Sequence, residues 1–330
     1  MDDVARAAGV SRALVSLAIR DSPKVSEERR ARVLQAAARL DYRPNAMARG
    51  LASRRTRTLG VLLNELHNPF YAEIMDGIEE GAEETDYRLL IGTARRRSRG
   101  EERAVDAFLE HRAAGIVLVG PRLPTRAIVA AASVVPVVVV AREIRSRLVD
   151  SITNDERLGA ILVVRHLTEL GHRRIAHVDG GHGAGAVARR SGYRWAMREV
   201  GLEPEIRILT GDYTDIAGVR AAEKLLASRD LPTAIFAAND VVAAGLIDRL
   251  EDAGLRTPDD VSVVGYDNTY LAALHHMSLT TVNQPRPEMG RLAMRSLVER
   301  IEGGRQSAVH LRTKPSLVVR ATTAAPRPGG

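Results

Sequence analysis

Four residues near the start of the chain have the types and spacing for contacts with DNA. Ser11, Arg12, Ala13 and Ser16 fall within two turns of one predicted helix. An arginine can donate to both acceptor atoms of a guanine edge in the major groove, while hydroxyl and methyl groups contact other base edges or phosphates. This stretch therefore predicts sequence-specific DNA recognition, provided that a helix presents these side chains outward.

The surrounding residues 3–17, DVARAAGVSRALVSL, form the pattern of a helix-turn-helix. Gly9 can adopt the positive φ that ends a helix, and Ser11 can cap the next one. A third helix is predicted after Ser26, with Glu27 and Glu28 in its first turn. Helical spacing assigns to the small core Val4, Ala8, Leu14, Val15, Val33, Leu34, Ala37 and Leu40.

A basic segment follows these helices. Residues 45–52 predict a short helix after Pro44, carrying Leu51. Gly50 weakens that helix by roughly 1 kcal/mol relative to alanine, and eight residues are too few for a stable isolated helix. We therefore expect this helix to be ordered only when something holds it.

The positive charge of the chain is concentrated at this end. Residues 1–58 contain 13 Lys and Arg and 6 Asp and Glu, a net charge of +7 that equals the net charge of the whole chain. A basic module on a neutral body is typical of a nucleic-acid-binding protein.

From residue 58 onward, apolar runs of strand length alternate with helical stretches, which is typical of a doubly wound α/β fold with parallel sheets. The predicted strands are 59–64, 88–92, 115–120, 137–141, 174–179, 233–238 and 261–267. The predicted helices include 71–85, 157–170, 217–227, 241–253 and 287–301.

Composition excludes several classes of protein. The sequence has no cysteine, so disulfides and thiolate metal sites are excluded. The start MDDVARAAGV lacks the basic and apolar regions of a secretory signal, and the apolar run 128–141 is too short to span a bilayer. The nine histidines are scattered and no serine lies in a strand-turn-helix elbow. We expect a cytoplasmic protein without enzymatic activity, metal or other cofactor.

Several motifs occur in the same order as in one known family. DVARAAGVS, VSLAIRDSPKVSEERRARVLQAAARLDYRPNAMARGLASRRT, NPFY, GHRRIAHVDG, FAANDVVAAG and VSVVGYDN resemble the lactose/galactose-repressor (LacI/GalR) family from residue 2 to about 323. The resemblance implies a ligand-responsive repressor that binds a palindromic operator as a homodimer. It implies that paired hinge helices contact the minor groove, with Leu51 as a wedge, through the residues Asn45, Arg49, Leu51 and Ala52.

The resemblance also implies a core of two similar subdomains, related to periplasmic binding proteins, with three chain crossings between them. The implied divisions are a headpiece 1–44, a hinge and linker 45–58, a first subdomain 59–154 plus 284–312, a second subdomain 155–283 plus 313–323, and a disordered tail 324–330. A sugar, sugar phosphate or related effector would lie in the cleft between the subdomains. The residues expected to bind it are Phe70, Tyr71, Arg142, Arg189, Tyr213, Asn239, Asp240 and Asp267.

Simpler interpretations exist for some of these residues. Phe70 and Tyr71 fit core positions equally well, and Asn239 or Asp240 is a good helix N-cap. After Val135-Pro136 the family often presents Asp, where this chain has Ala141 followed by Arg142. That departure favours an anionic or phosphorylated effector.

A second departure lies at the start of the chain. The family usually has several residues ahead of the position of Met1, including a helix N-cap. Either Asp2 serves as the cap, or translation begins upstream.

Two rival classes fit less well. Residues 181–186, GHGAGA, match the GxGxxA of a dinucleotide-binding turn. An NAD-dependent oxidoreductase would also need an acidic residue ending a second strand, and Glu203 and Glu205 flank Pro204 instead. A periplasmic solute-binding protein would lack the DNA-binding segment 1–57.

Overall fold

The computed structural model describes residues 1–19, 21–42, 56–94, 97–228 and 230–327. The chain divides into two units, Met1–Arg57 and Thr58–Gly330. The predicted hinge helix over 45–52 lies outside the described residues.

The first unit contains three helices, α1 Asp2–Ala8, α2 Arg12–Ile19 and α3 Glu27–Arg39. Gly9 ends the first helix at φ +64°, the left-handed conformation that glycine adopts without a steric penalty. Ser11 Oγ accepts a hydrogen bond from the Leu14 amide at 3.2 Å. These caps confirm the helix-turn-helix pattern.

The small core of this unit differs in part from the predicted one. Ala36 is buried, whereas Leu34 and Leu40 are 50% and 47% exposed. The third helix packs through the face that carries Val33, Ala36 and Ala37, and the residue after Val33 is rotated by about 100° from that face. The prediction that Leu34 and Leu40 form the third wall is therefore wrong.

The first helix begins at Asp2, with Met1 in the capping position and without a side-chain cap bond. Asp2 therefore does not serve as the N-cap. Its carboxylate lies in the first turn, where it complements the helix dipole.

The second unit is built on strands that, numbered along the chain, are β1 Thr58–Leu63, β2 Arg88–Thr93, β3 Gly115–Val119, β4 Val137–Val140, β5 Val149–Asn154, β6 Ile175–Val178, β7 Arg207–Leu209, β8 Ala234–Ala237, β9 Ser262–Asp267, β10 Thr280–Asn283, β11 His310–Thr313 and β12 Ser316–Val318. Within the described residues they form two six-stranded sheets, in the orders β11-β5-β4-β3-β1-β2 and β12-β10-β9-β8-β6-β7. All neighbouring strands are parallel except β10 and β12.

Helices cover both faces of each sheet, and separate apolar clusters fill the two sides. The helices are α4 Pro69–Glu83, α5 Ser98–Glu110, α6 Thr125–Ala132, α7 Glu156–Glu169, α8 Ala186–Glu199, α9 Asp215–Leu226, α10 Asp240–Asp252, α11 Tyr270–Ala273 and α12 Arg286–Ile301. The doubly wound α/β prediction is confirmed. Strands β5 and β10, VDSITN and TTVN, were not predicted because their polar residues interrupt the apolar pattern.

The chain passes between the two sheets three times, after β5, after β10 and after β11. Helix α12 returns to the first sheet, where it packs on α4. The two backbones approach closely: a Cβ at Gly77 would lie 2.0 Å from the Pro287 carbonyl oxygen, and one at Gly290 would lie 2.2 Å from the Ile74 oxygen. Only glycine fits at these two points of contact between α4 and α12.

Residues 324–327 pack against the second sheet, contrary to the predicted disordered tail. His172 Nε2 lies 2.8 Å from the Ala324 carbonyl oxygen, and Arg327 forms an ion pair with Asp260. Residues 328–330 lie outside the described part of the chain. Of the helices described, none is both long and apolar enough to cross a membrane.

Candidate functional site

The second helix of the first unit presents the predicted DNA-contacting residues outward. The Arg12 side chain is 70% exposed and its Nε lies 3.7 Å from Asp2 Oδ1. Ser11 and Ala13 are also exposed, and Ser16 is half-buried. Because Val15 and Ala18 on the opposite face are buried, this helix offers one polar row to a partner.

The predicted hinge contacts Asn45, Arg49, Leu51 and Ala52 lie outside the described residues. Their DNA contacts stay predictions from the sequence. The DNA contacts of Ser11, Arg12, Ala13 and Ser16 also stay predictions. Their position on the second helix suits contact with DNA and does not identify the base contacted.

A small cavity lies between the two sheets, at the carboxyl ends of their strands. Parallel α/β sheets generally place ligands at this edge. Six of the eight residues predicted to bind effector line it: Phe70, Tyr71, Arg189, Tyr213, Asn239 and Asp267. Its volume of about 20 Å³ holds about one water molecule, so the cavity as it stands is too small for a ligand the size of a sugar.

Local sequence explains how several of these residues reach the cavity. Asn68 caps α4 by accepting a hydrogen bond from the Phe70 amide at 3.0 Å, which directs the two following aromatic residues inward. Asn239 caps α10 in the same way, accepting from the Val242 amide at 2.9 Å. The capping interpretation of Asn239 is thus confirmed, and the residue also lines the cavity.

Phe70 and Tyr71 occupy core positions and also line the cavity, so the two alternatives offered for them both hold. They are 7% and 5% exposed and pack in the core beside the first sheet, and they also line the cavity. Their rings meet edge to face with centroids 5.3 Å apart. They therefore form an apolar wall of the cavity.

Arg189 is buried and bonded to protein groups on every side. Its Nε and Nη2 donate to Glu156 Oε2 at 3.2 and 2.7 Å, and its Nη1 donates to the Ala238 carbonyl oxygen. The guanidinium lies 3.5 Å from the ring centroid of Tyr266. Burial lowers the pKa of Arg189, but the acidic groups around it, with the Glu156 carboxylate the strongest of them, together outweigh burial and hold that pKa above its ordinary value.

Asp267 ends β9 and faces the cavity. Its Oδ1 accepts from Gln284 Nε2 at 2.6 Å, and burial raises its pKa well above the ordinary range despite the nearby Arg189. Both Asp267 and the adjacent Asn268 have positive φ, 110° and 55°. The strand therefore ends in a constrained turn that aims the carboxylate.

Asp240, in contrast, does not line the cavity. It is fully buried behind the cavity wall, where its carboxylate accepts from the Thr269 amide and hydroxyl and from the Thr281 hydroxyl. Burial raises its pKa. The structure thus gives Asp240 a role in holding the turn after β9.

Arg142 also lies away from the inner cavity. Its Nη1 donates to the carbonyl oxygens of Pro121 and Leu123, and its Nη2 donates to the Thr125 hydroxyl. It borders a wider outer cleft of about 760 Å³, which shares Ala141, Glu156 and Ala184 with the inner cavity.

The glycine-rich turn 181–186 packs against Tyr213. A Cβ at Gly183 would lie 2.3 Å from a Tyr213 ring carbon, and the Tyr213 hydroxyl donates to the Ala184 carbonyl oxygen at 2.7 Å. The tyrosine ring, rather than a dinucleotide, therefore accounts for glycine there. Among the described residues, no group of three or more His, Asp or Glu side chains could hold a metal ion.

Two lining residues were missed by sequence reasoning, Glu156 and Gln284. Glu156 occupies the first turn of α7 and resembles an ordinary dipole-complementing acid. Gln284 follows a strand that lacks an apolar signal. A search for polar residues directly after every chain crossing would have found both.

Comparison with known proteins places these features in one family. Residues 1–45 match the family model described as bacterial regulatory proteins, lacI family, and residues 164–323 match a periplasmic binding protein-like domain. The chain is 36% identical to catabolite control protein A of Priestia megaterium over 301 residues, which cover 90% of this chain and 91% of the relative.

Two solved structures extend this likeness over almost the whole chain. One is the Lac repressor dimer bound to operator and the anti-inducer ONPF, with a TM-score of 0.85, 28% identity and 98% coverage of both chains. The other is the complex of the transcriptional regulator CelR with cellobiose, with a TM-score of 0.73, 32% identity and coverage of 97% and 98%.

Proposed function

The chain belongs to the LacI family of bacterial regulatory proteins, and from this premise we propose that it is a repressor controlled by a small molecule. It binds a palindromic operator as a homodimer. One observation carries the proposal. A helix-turn-helix with an exposed Arg12 side chain is followed in the same chain by a polar cavity between two sheets of mainly parallel strands. Two identical reading helices favour DNA with two-fold symmetry.

The DNA contacts are divided between two segments. Ser11, Arg12, Ala13 and Ser16 read the major groove, and the hinge residues 45–52 contact the minor groove. The similar Lac repressor is a dimer bound to operator, which supports this arrangement. The headpiece is taken as 1–44 and the hinge and linker as 45–58.

The effector binds between the subdomains, 59–154 plus 284–312 and 155–283 plus 313–323. It is a sugar or a related small molecule, an assignment supported by the cellobiose complex of the similar CelR. Aromatic rings form one wall and polar side chains the other, as in many small-ligand sites. A ligand that prefers one arrangement of the subdomains shifts the equilibrium between them and so controls the operator.

The family consists of transcriptional regulators, and we assign no catalytic activity to this chain. We place the protein in the cytoplasm, because the DNA that it binds lies in the cytoplasm. The rival oxidoreductase interpretation is disfavoured because the Tyr213 ring fills the space beside the glycine-rich turn.

Selection of DNA from a random pool by the full chain tests this function. We expect the selected sites to share one sequence with two-fold symmetry, and binding to a matched duplex with one half scrambled to be much weaker. A thermal-shift screen of sugars, nucleosides and NAD, followed by operator binding with each hit, then tests control by the effector. Stabilisation by NAD without selection of any DNA would replace the proposal with the oxidoreductase.

A further inference from the structure

We infer that Glu156 excludes anions from the inner cavity, so that the effector is an uncharged or amine-bearing molecule rich in hydrogen-bond donors. This inference rests on the proposed function and names the chemical class of its ligand. It concerns the site for which sequence reasoning favoured an anionic or phosphorylated effector.

The first support is that Arg189 is already neutralised. Its three guanidinium nitrogens each donate to a protein oxygen, two of these bonds reaching Glu156 Oε2. The two side chains are 3% and 10% exposed. An anion that approached Arg189 would have to displace a buried carboxylate from a charge-assisted pair, or lie beside it as a like charge.

The second support is the charge of the cavity wall. Among the described residues that line the cavity, Glu156 and Asp267 are acidic, and the one cation, Arg189, is already paired with Glu156. Arg142, on which the anionic expectation depended, is directed to backbone carbonyl oxygens at the outer cleft. The lining therefore offers no unpaired positive charge to a buried phosphate, whose desolvation would go uncompensated there.

The third support is a set of polar atoms that lack partners. Gln284 Oε1 and Asn239 Nδ2 are buried without a hydrogen bond among the described residues, and both side chains line the cavity. Gln284 Oε1 needs a donor, and Asn239 Nδ2 needs an acceptor. A hydroxyl group can supply both, by donating to Gln284 and accepting from Asn239, whereas an ionised phosphate presents acceptors.

The test uses inorganic phosphate as the probe and Trp195 as the reporter. Trp195 is the single tryptophan of the chain, and the guanidinium of Arg157, next to Glu156, lies 5.0 Å from its ring centroid. Phosphate is titrated into the full-length protein at constant ionic strength, set with chloride, while tryptophan fluorescence and thermal unfolding are recorded.

We expect no phosphate-dependent change in the unmodified protein. Glu156→Gln keeps the shape of the side chain and removes its charge, which frees Arg189, so phosphate affinity should rise by roughly tenfold or more. The gain should vanish in Glu156→Gln/Arg189→Gln. The matched control is Glu169→Gln, an exposed acid on the same helix, which should behave as the unmodified protein does.

Three results would overturn the inference. Phosphate binding by the unmodified protein that is lost in Arg189→Gln would show that Arg189 is open to anions. Absence of any gain in Glu156→Gln would show that Glu156 is not the barrier. A gain that persists in the double variant would place the phosphate elsewhere. DNA selection by the unmodified protein tests the proposed function separately, since it involves no phosphate titration.

Discussion

Arg12 combines strong exposure with a position in the first turn of the second helix, which suits it to read one base. The side chain is 70% exposed, and the equally exposed Asp2 carboxylate lies 3.7 Å from it. A pair of that kind contributes little to stability. Its loss should therefore affect DNA binding rather than folding.

We expect Arg12→Ala to cost roughly 1–3 kcal/mol of operator binding and to relax the choice of base at one symmetric pair of positions. The measurement is binding of the selected site and of its single-base variants. Arg39→Ala serves as the control because Arg39 is exposed at the end of the third helix. An equal loss on every DNA sequence would show that Arg12 contacts only phosphate.

Ionisation of Asp267 should make both the stability of the protein and effector binding depend on pH. Burial raises its pKa well above the ordinary value, so above about pH 4, the unfolded pKa of an aspartate, the folded protein retains a proton that the unfolded chain has lost. The free energy of unfolding must then fall as pH rises toward the folded pKa. A donor-rich effector would favour the ionised carboxylate and so would bind more tightly as pH rises through this range.

In Asp267→Asn, the effector-free protein should lose less stability between pH 5 and pH 8 than the unmodified protein loses, because the amide does not ionise. Urea unfolding at each pH measures this difference. Asp248→Asn, at an exposed position in the same subdomain, should leave the pH profile unchanged. Identical profiles for Asp267→Asn and the unmodified protein would contradict the raised pKa.

At the scale of elements, α4 and α12 hold the turn that follows β9. Glu73 on α4 accepts from the Tyr270 amide at 3.0 Å and from Arg286 Nε at 2.7 Å. Arg286 Nη2 in turn donates to the Asn268 carbonyl oxygen at 2.6 Å. Helices packed on the first sheet thus fix the residue next to Asp267, whose strand lies in the second sheet.

The same two helices form two ion pairs of similar length that differ in burial. Glu73 and Arg286 are 20% and 8% exposed, whereas Glu80 and Arg291 are 56% and 46% exposed at a similar distance of 2.6 Å. Glu73→Ala leaves Arg286 buried without its carboxylate and should lower the free energy of unfolding by about 3 kcal/mol.

Glu80→Ala should lower it by less than about 1 kcal/mol, because that pair is solvated. Urea unfolding of the two variants measures both effects. We also expect Glu73→Ala to weaken effector binding, since the turn that aims Asp267 loses a support. Equal destabilisation by the two substitutions would mean that burial of the Glu73 pair is energetically unimportant.

At the scale of the whole molecule, the hinge between the two units must connect ligand to operator. Residues 45–52 lie outside the described part of the chain, so their helix stays a prediction from the sequence. Insertion of Leu51 between base pairs would cost a few kcal/mol of unstacking, which added contacts must offset. An effector that separates the paired hinges would remove those contacts and leave weak, salt-sensitive phosphate binding.

Leu51→Ala should therefore lower affinity for the operator by roughly tenfold or more, with little change on unrelated DNA. Hydrogen exchange offers a direct measurement: amides 46 to 52 of the unmodified protein should gain protection with operator and gain little with a scrambled duplex of the same length. Equal protection by both duplexes would contradict a hinge that pairs only at the operator.

The sequence by itself determined the features that depend on neighbouring residues. Gly9 and Ser11 mark the helix-turn-helix because capping acts within one turn. The β-strands with continuous apolar residues were predicted because buried parallel strands need them, whereas the polar β5 and β10 were not.

Tertiary structure alone decided which polar groups meet. Glu156 and Arg189 are 33 residues apart and pair only because α7 and α8 pack together. Asp240 and Arg142 lie away from the cavity, where backbone and hydroxyl groups of other segments supply their hydrogen-bond partners. Such pairings depend on which loops the two sheets bring to one edge, and local periodicity carries no information about side chains that meet across that distance.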